Sequence, residues 1–246
     1  MVAIKTKHRI MKACLLSLFV LFCSVDFPDY QQELSPDYNR ALKYLREHRS
    51  QIDRKITRSS SARGIMVAVV FPEIIRYSLV RDLIETKSLE LGYVHEGKDF
   101  VDFSIGRFQM KPSFAENLER VLHSSPVLTK LHAGLAQYGG KSTQAARKKR
   151  LQRLKKLNGQ LTYLMAFYDV VRERFPGVKR QPLSYQVQFF AAAYNHGFMS
   201  GRQEVEKWMD RACYPYGTGV PGKQYSYSRV ALYFWNHHYK KIFENS

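Results

Sequence analysis

The strongest constraint on the fold is an apolar run in the first third of the chain. From Gly64 to Phe71, Ile65, Met66, Val67, Ala68, Val69, Val70 and Phe71 follow one another with no polar interruption. Such a segment has no solvent face, so it belongs inside the core. Periodicity alone leaves a core strand and a core helix equally open. Pro72 follows, and beyond it Ile75, Leu79 and Leu83, with Val80 and Ile84 beside them, recur at helical spacing towards Gly92. That spacing predicts a helix for which Pro72 is a start or a kink.

The rest of the pattern is also helical. Ser35-Pro36-Asp37 reads as a helix start, with Ser35 as cap and Pro36 at the first helical position. This helix runs towards Ile56 and is broken by Ser59-Ser60-Ser61. Residues 93–112 carry Gly97, Gly106 and Pro112 and predict a loop or a short irregular hairpin. A helix over 113–122 follows, with Ser113 as cap and Glu116 at the capping-box position. Further helices are expected over 161–175, over 186–195 with a stop at Gly197, and over 228–243. No internal repeat or low-complexity run interrupts this order. With 45% hydrophobic and 13% aromatic residues in 246, the chain supports one medium, mainly α domain.

The N-terminus reads differently. Lys5, Lys7, Arg9 and Lys12 precede an apolar stretch from Ala13 to Phe22, with no acid before Asp26. A basic region followed by a short apolar one describes an export signal, and the stretch is short of the ~20 residues a membrane span needs. Met11 is an alternative start. Cleavage, lipidation at Cys23 and an uncleaved anchor are all open. The expected division is a signal peptide over 1–24, a tether and helix over 25–60, and the main domain over 61–246. The formal net charge is +18. Cleavage removes four basic residues and no acids, so the body stays basic and favours polyanionic partners. Lys141, Arg147, Lys148, Lys149, Arg150, Arg153, Lys155 and Lys156 form its densest run, expected as a solvated face or as a contact for anionic envelope polymers or a membrane surface. Export argues against nucleic acid as a partner. Cys213 is the one cysteine of the body, so no disulfide forms within it, and no zinc-type spacing is present.

Three islands carry the chemistry. In Val70-Phe71-Pro72-Glu73-Ile74-Ile75, a lone acid lies among apolar neighbours. Buried, Glu73 would have a raised pKa and suit general acid catalysis. In the first turn of a helix, the dipole would instead lower it. In Ser104-Ile105-Gly106-Arg107-Phe108-Gln109-Met110, Gly106 permits a tight turn, Gln109 could orient a sugar or the carboxylate, and Arg107 could hold an acidic peptide group. In Ala193-Tyr194-Asn195-His196-Gly197, Tyr194 and Asn195 sit at a helix end where side chains reach a cleft.

In this order the islands resemble the lysozyme-like lytic transglycosylases, the group that includes goose-type lysozymes. That family has a Glu at a helix end, then a Ser-x-x-Gly-Leu-Met-Gln type of segment, then an Ala-Tyr-Asn-Ala-Gly segment. Glu73 fits the first; Ser104, Gly106, Gln109 and Met110 fit the second; Ala193, Tyr194, Asn195 and Gly197 fit the third. Tyr227, in Tyr225-Ser226-Tyr227, falls near a late cleft tyrosine of the family. The match spans about residues 60–240. Ile74, Arg107, Phe108 and His196 depart from the family pattern, and the gap from Glu73 to Ser104 is longer than usual. The resemblance implies a lysozyme-like helical domain with a hairpin beside the cleft. It further implies an enzyme of the bacterial periplasm or envelope that cuts peptidoglycan glycan strands with Glu73 as its acid, without metal or cofactor. Asp102 and Asp99, just before the second island, are either ordinary loop acids or candidates for a second carboxylate, Asp102 the first of them, that would make it a hydrolytic muramidase instead. A non-catalytic wall-binding protein on the same fold is the remaining alternative.

Overall fold

A computed structural model of the chain describes residues 28–80 and 86–244. The expected signal segment and the apolar positions Leu83 and Ile84 lie outside the described residues. The short helix α1 (Tyr30–Glu33) leads into α2 (Asp37–Lys55). Tyr38, Ala41, Leu42, Leu45 and Ile52 form the buried stripe of α2, at the spacing of one helix face. Its start differs from expectation. Pro36, in the αR region, occupies the cap position, and no side chain caps the helix. The Ser35 hydroxyl instead accepts a bond from Asn39 Nδ2 at 3.2 Å.

The apolar run is a helix. It lies inside α3 (Ser60–Val80), where every residue from Gly64 to Ile75 is buried. A helix apolar all round must be enclosed by others, and α3 is packed among α2 and two helices of the C-terminal half. Pro72 neither starts nor ends α3; it sits inside it. Proline removes one hydrogen bond from a helix interior and loosens the turn. Two buried tyrosines use carbonyls of that turn: Tyr227 donates to Val69 O and Tyr214 to Pro72 O, each at 2.8 Å. Two phenols that would be costly to bury unpaired are thereby satisfied.

Helix α4 (Thr86–Glu96) continues past Gly92, the expected end. Beyond it, residues 97–111 contain one antiparallel bridge, between Ile105 and Met110, which is the expected irregular hairpin in its smallest form. Helix α5 (Pro112–Ser124) is not capped by Ser113. Asp102 takes that role: one carboxylate oxygen accepts from Ser113 N at 2.9 Å, the other from Ser113 Oγ at 2.7 Å. Glu116 is turned into the core. Asp102→Ala should lower stability by about 1 kcal/mol, the usual loss of a helix cap. Thermal unfolding measures it, and an unchanged midpoint refutes the capping role.

Helices α6 (Pro126–Leu131) and α7 (Ala133–Ala136) lead to α8 (Gln144–Leu154) and the long α9 (Leu157–Arg174). The basic run on α8 is not one solvated face. Lys148 and Lys149 are exposed, but Arg150 is 1% exposed. Arg150 bonds Glu119 through Nε at 3.1 Å and through Nη2, and bonds Glu116 through Nη1 at 2.9 Å. Arg147 bonds Ser142 O and Tyr93 O, Arg153 stacks over Tyr138, and Lys155 pairs with Glu90. A 3-10 turn (Val178–Arg180) precedes α10 (Leu183–His196), which stops at Gly197 with φ +138°. Helix α11 (Arg202–Trp208) leads to a two-stranded antiparallel ribbon, β1 (Ala212–Tyr214) with β2 (Tyr225–Ser226), in register Ala212↔Ser226 and Tyr214↔Tyr225. Helix α12 (Tyr227–Phe234), a π turn (Trp235–Tyr239) and α13 (Lys240–Phe243) close the fold.

The architecture is mainly α. One hydrophobic cluster runs from Tyr30 to Phe243 and includes the stripe of α2 together with α3, α9, α10 and α12. Among the described residues, no helix is long and apolar enough to cross a membrane.

Candidate active site

Glu73 sits in the middle of α3, with only 4% of its surface exposed. It therefore does not occupy a helix first turn, nor the helix end that the family pattern implies. Burial pushes its carboxyl above the ordinary value, against the opposing pull of Arg76, Tyr227 and Lys111. One turn along the same helix, Arg76 Nη1 reaches both carboxylate oxygens, at 3.3 and 3.2 Å. Arg76 is itself anchored elsewhere. Its Nε donates to Pro215 O at 2.9 Å, and its guanidinium lies over the Tyr214 ring at 5.5 Å. Tyr194, Tyr214 and Tyr227 surround the carboxylate, and burial pushes all three phenols well above their ordinary range. They stay neutral at any physiological pH.

Glu73 opens onto a small cleft of about 110 Å³. Arg76 lines it from α3. Ser104, Gln109, Met110 and Lys111 line it from the bridge segment, Phe114 from α5, and Tyr194 and Asn195 from the end of α10. The three islands, separated by about 30 and 90 residues in sequence, thus meet at one cavity. Tyr194 ties two of them together directly, its hydroxyl donating to Phe108 O at 2.7 Å. The Asn195 side-chain oxygen accepts from Trp208 Nε1 at 2.9 Å, which fixes its orientation.

Of the other expected residues, Gly106, Arg107, Tyr227 and Asp102 are not part of the lining. Gly106 has φ +67° and makes the tight turn of the bridge segment. A side chain there would run into the Gln160 amide, and its Cβ would lie 2.9 Å from Leu154 O. Gln160 is not free to move, because it accepts from Phe108 N at 3.0 Å and donates to Leu154 O at 2.6 Å. Gly106→Ala should cost about 2 kcal/mol or more, from left-handed backbone plus overpacking; a denaturation midpoint unchanged from wild type refutes this. Gln109 also has positive φ, +49°, and its amide donates to Gly106 O at 2.8 Å. It closes the turn as well as lining the cleft. Arg107 is outside the lining and packs over the rings of Tyr44 and Tyr77 at 4.8 and 4.3 Å. Tyr227 lies beneath Glu73 in the core. Asp102 is also outside the lining, with both oxygens committed to Ser113.

Arg76, Lys111, Phe114 and Tyr214 escaped the sequence reading. Arg76 was the most accessible of them, since a base three residues after an acid on a helix shares its face. Tyr214 carried no local signal at all. Among the described residues, no group of three His, Cys, Asp or Glu side chains is placed to hold a metal ion.

Comparisons with protein-family models, with curated proteins and with solved structures find no match to this chain.

Proposed function

We propose that this chain is an exported, lysozyme-like enzyme that cuts the MurNAc–GlcNAc β-1,4 bond of bacterial peptidoglycan by lytic transglycosylation. The observation that carries the reading is the meeting of Glu73, Ser104, Gln109, Met110, Tyr194 and Asn195 at one cleft. A buried carboxyl with a raised pKa holds its proton nearer neutrality, as a general acid must. Glu73 gives that proton to the glycosidic oxygen, and the bond from C1 to that oxygen breaks. The sugar's own C6 hydroxyl oxygen then bonds to C1 and returns its proton to Glu73. A 1,6-anhydro end forms, no water is consumed, and the acid is reset.

Hydrolysis would need a second carboxylate to position water. The commitment of Asp102 to Ser113 favours the single-acid route. Mass spectrometry of products from purified sacculi tests it: anhydro ends are expected, and reducing ends overturn it in favour of a muramidase.

The second reading, a wall-binding protein without turnover, draws on the Arg76–Glu73 ion pair, which favours the ionised and therefore unproductive form of the acid. Incubation with sacculi separates the two. Soluble muropeptides support the enzyme, and co-sedimentation without release supports the binder. Glycan strands are the partner in either case, and the exposed Lys148 and Lys149 offer a contact for anionic envelope polymers or a membrane surface.

A further inference from the structure

The cleft is lined by one acid, Glu73, and two bases, Arg76 and Lys111. With Glu73 ionised, these three lining groups still carry a net positive charge. Lys111 is only loosely held, with its Nζ 3.9 Å from Asp102. The Arg76–Glu73 contacts, at 3.2 and 3.3 Å, are longer than the ~2.7–2.9 Å of a well-formed charge-assisted bond. The anchors of Arg76 on Pro215 O and the Tyr214 ring do not involve Glu73. The guanidinium therefore stays at the cleft when its carboxylate partner changes.

We propose that Arg76 and Lys111 select glycans bearing a free carboxylate beside the scissile bond, and that this carboxylate displaces Glu73 as the partner of Arg76. The inference rests on the reading of Glu73 as the acid of a glycan-cleaving enzyme and names the substrate class that the same site prefers. The exchange does two things. It supplies a charge-assisted bond to acidic sugars that neutral sugars cannot make. It also leaves Glu73 buried with a like charge nearby and without its counter-ion, which favours the protonated form. Glu73 then takes up a proton from solvent and becomes the acid. Lys111 also favours the ionised form of Glu73 and is drawn to the same substrate carboxylate, while Tyr194 from α10, Tyr214 from β1 and Tyr227 at the start of α12 are neutral. The carboxylate of the substrate thus favours the protonated form of the acid that is to cleave it.

The test is titration calorimetry with two oligosaccharides of equal length, one containing N-acetylmuramic acid with its free lactyl carboxylate, the other built of N-acetylglucosamine alone. Glu73→Gln is used to prevent turnover. It should bind the acidic oligosaccharide about tenfold or more tightly than the neutral one. Glu73→Gln/Arg76→Gln should lose that preference; it leaves no unpaired buried charge, and its thermal unfolding, measured beside that of Glu73→Gln, confirms that it folds. Wild type, titrated in buffers of different ionisation enthalpy, should take up protons on binding the acidic oligosaccharide, and Glu73→Gln should not. Equal affinities, no binding of either oligosaccharide, a preference that survives loss of Arg76, or wild-type binding without proton uptake overturns the inference. Digestion of sacculi by wild type reports on the enzyme reading separately: release of muropeptides together with equal affinities sinks the inference alone.

Discussion

Glu73→Gln should reduce the release of muropeptides from sacculi by about 10²–10⁴-fold, the contribution usual for a positioned general acid, while the chain still folds. Glutamine keeps the shape of the side chain and loses the transferable proton. Wild-type release by the variant would refute the catalytic assignment. A second signature separates a catalytic loss from a folding defect. Burial raises the Glu73 carboxyl in the folded state above its value in the unfolded chain, near 4.5. As pH rises past that value, the unfolded chain gives up its proton first, so the folded state binds more protons and loses stability with pH. The loss continues until the folded carboxyl ionises too. Glutamine has no proton to lose at this position. The melting temperature of Glu73→Gln should therefore gain on that of wild type between about pH 4.5 and neutrality. A difference that stays constant with pH would mean that burial does not govern this carboxyl.

Arg150→Met should be the most damaging substitution away from the cleft. Arg150 pairs with two buried carboxylates, Glu116 and Glu119, each no more than 1% exposed. Tyr93 and Tyr163 complete the cluster, donating to Glu116 and Glu119 at 2.9 and 2.6 Å. These side chains come from α4, α5, α8 and α9, so the network pins four helices at one point. Methionine fills the volume but strands two charges in the core. Breaking a buried pair in this way costs about 3–5 kcal/mol, a large share of the ~5–15 kcal/mol by which a domain is stable. Urea denaturation should show a midpoint lowered accordingly. Glu116→Gln/Glu119→Gln/Arg150→Met removes all three charges together and should recover much of the loss, because the stranded carboxylates and not the missing contacts dominate it. No recovery would show that the geometry of the bonds matters more than the charge.

The sequence by itself determined the mainly α class and the burial of residues 64–71, and it marked the three islands and, through their joint order, Glu73 as candidates. Each of these is written locally: helical spacing, apolar runs and breaker residues act over a few positions, and a lone acid among apolar neighbours stands out wherever it falls. Tertiary structure decided the rest. It made the apolar run a helix, because other helices enclose that run on every side. It placed Glu73 mid-helix, where the burial that raises its pKa outweighs the nearby cations. It turned Arg150 from a member of a surface-like basic run into the centre of a buried network, and Asp102 from a candidate second carboxylate into a helix cap. It set Tyr214, about 140 residues distant, against Glu73 and Arg76. These outcomes depend on which side chains meet across long stretches of chain. Charge, burial and pKa are properties of those meetings, so the chemistry of Glu73 became readable only once its neighbours were in place.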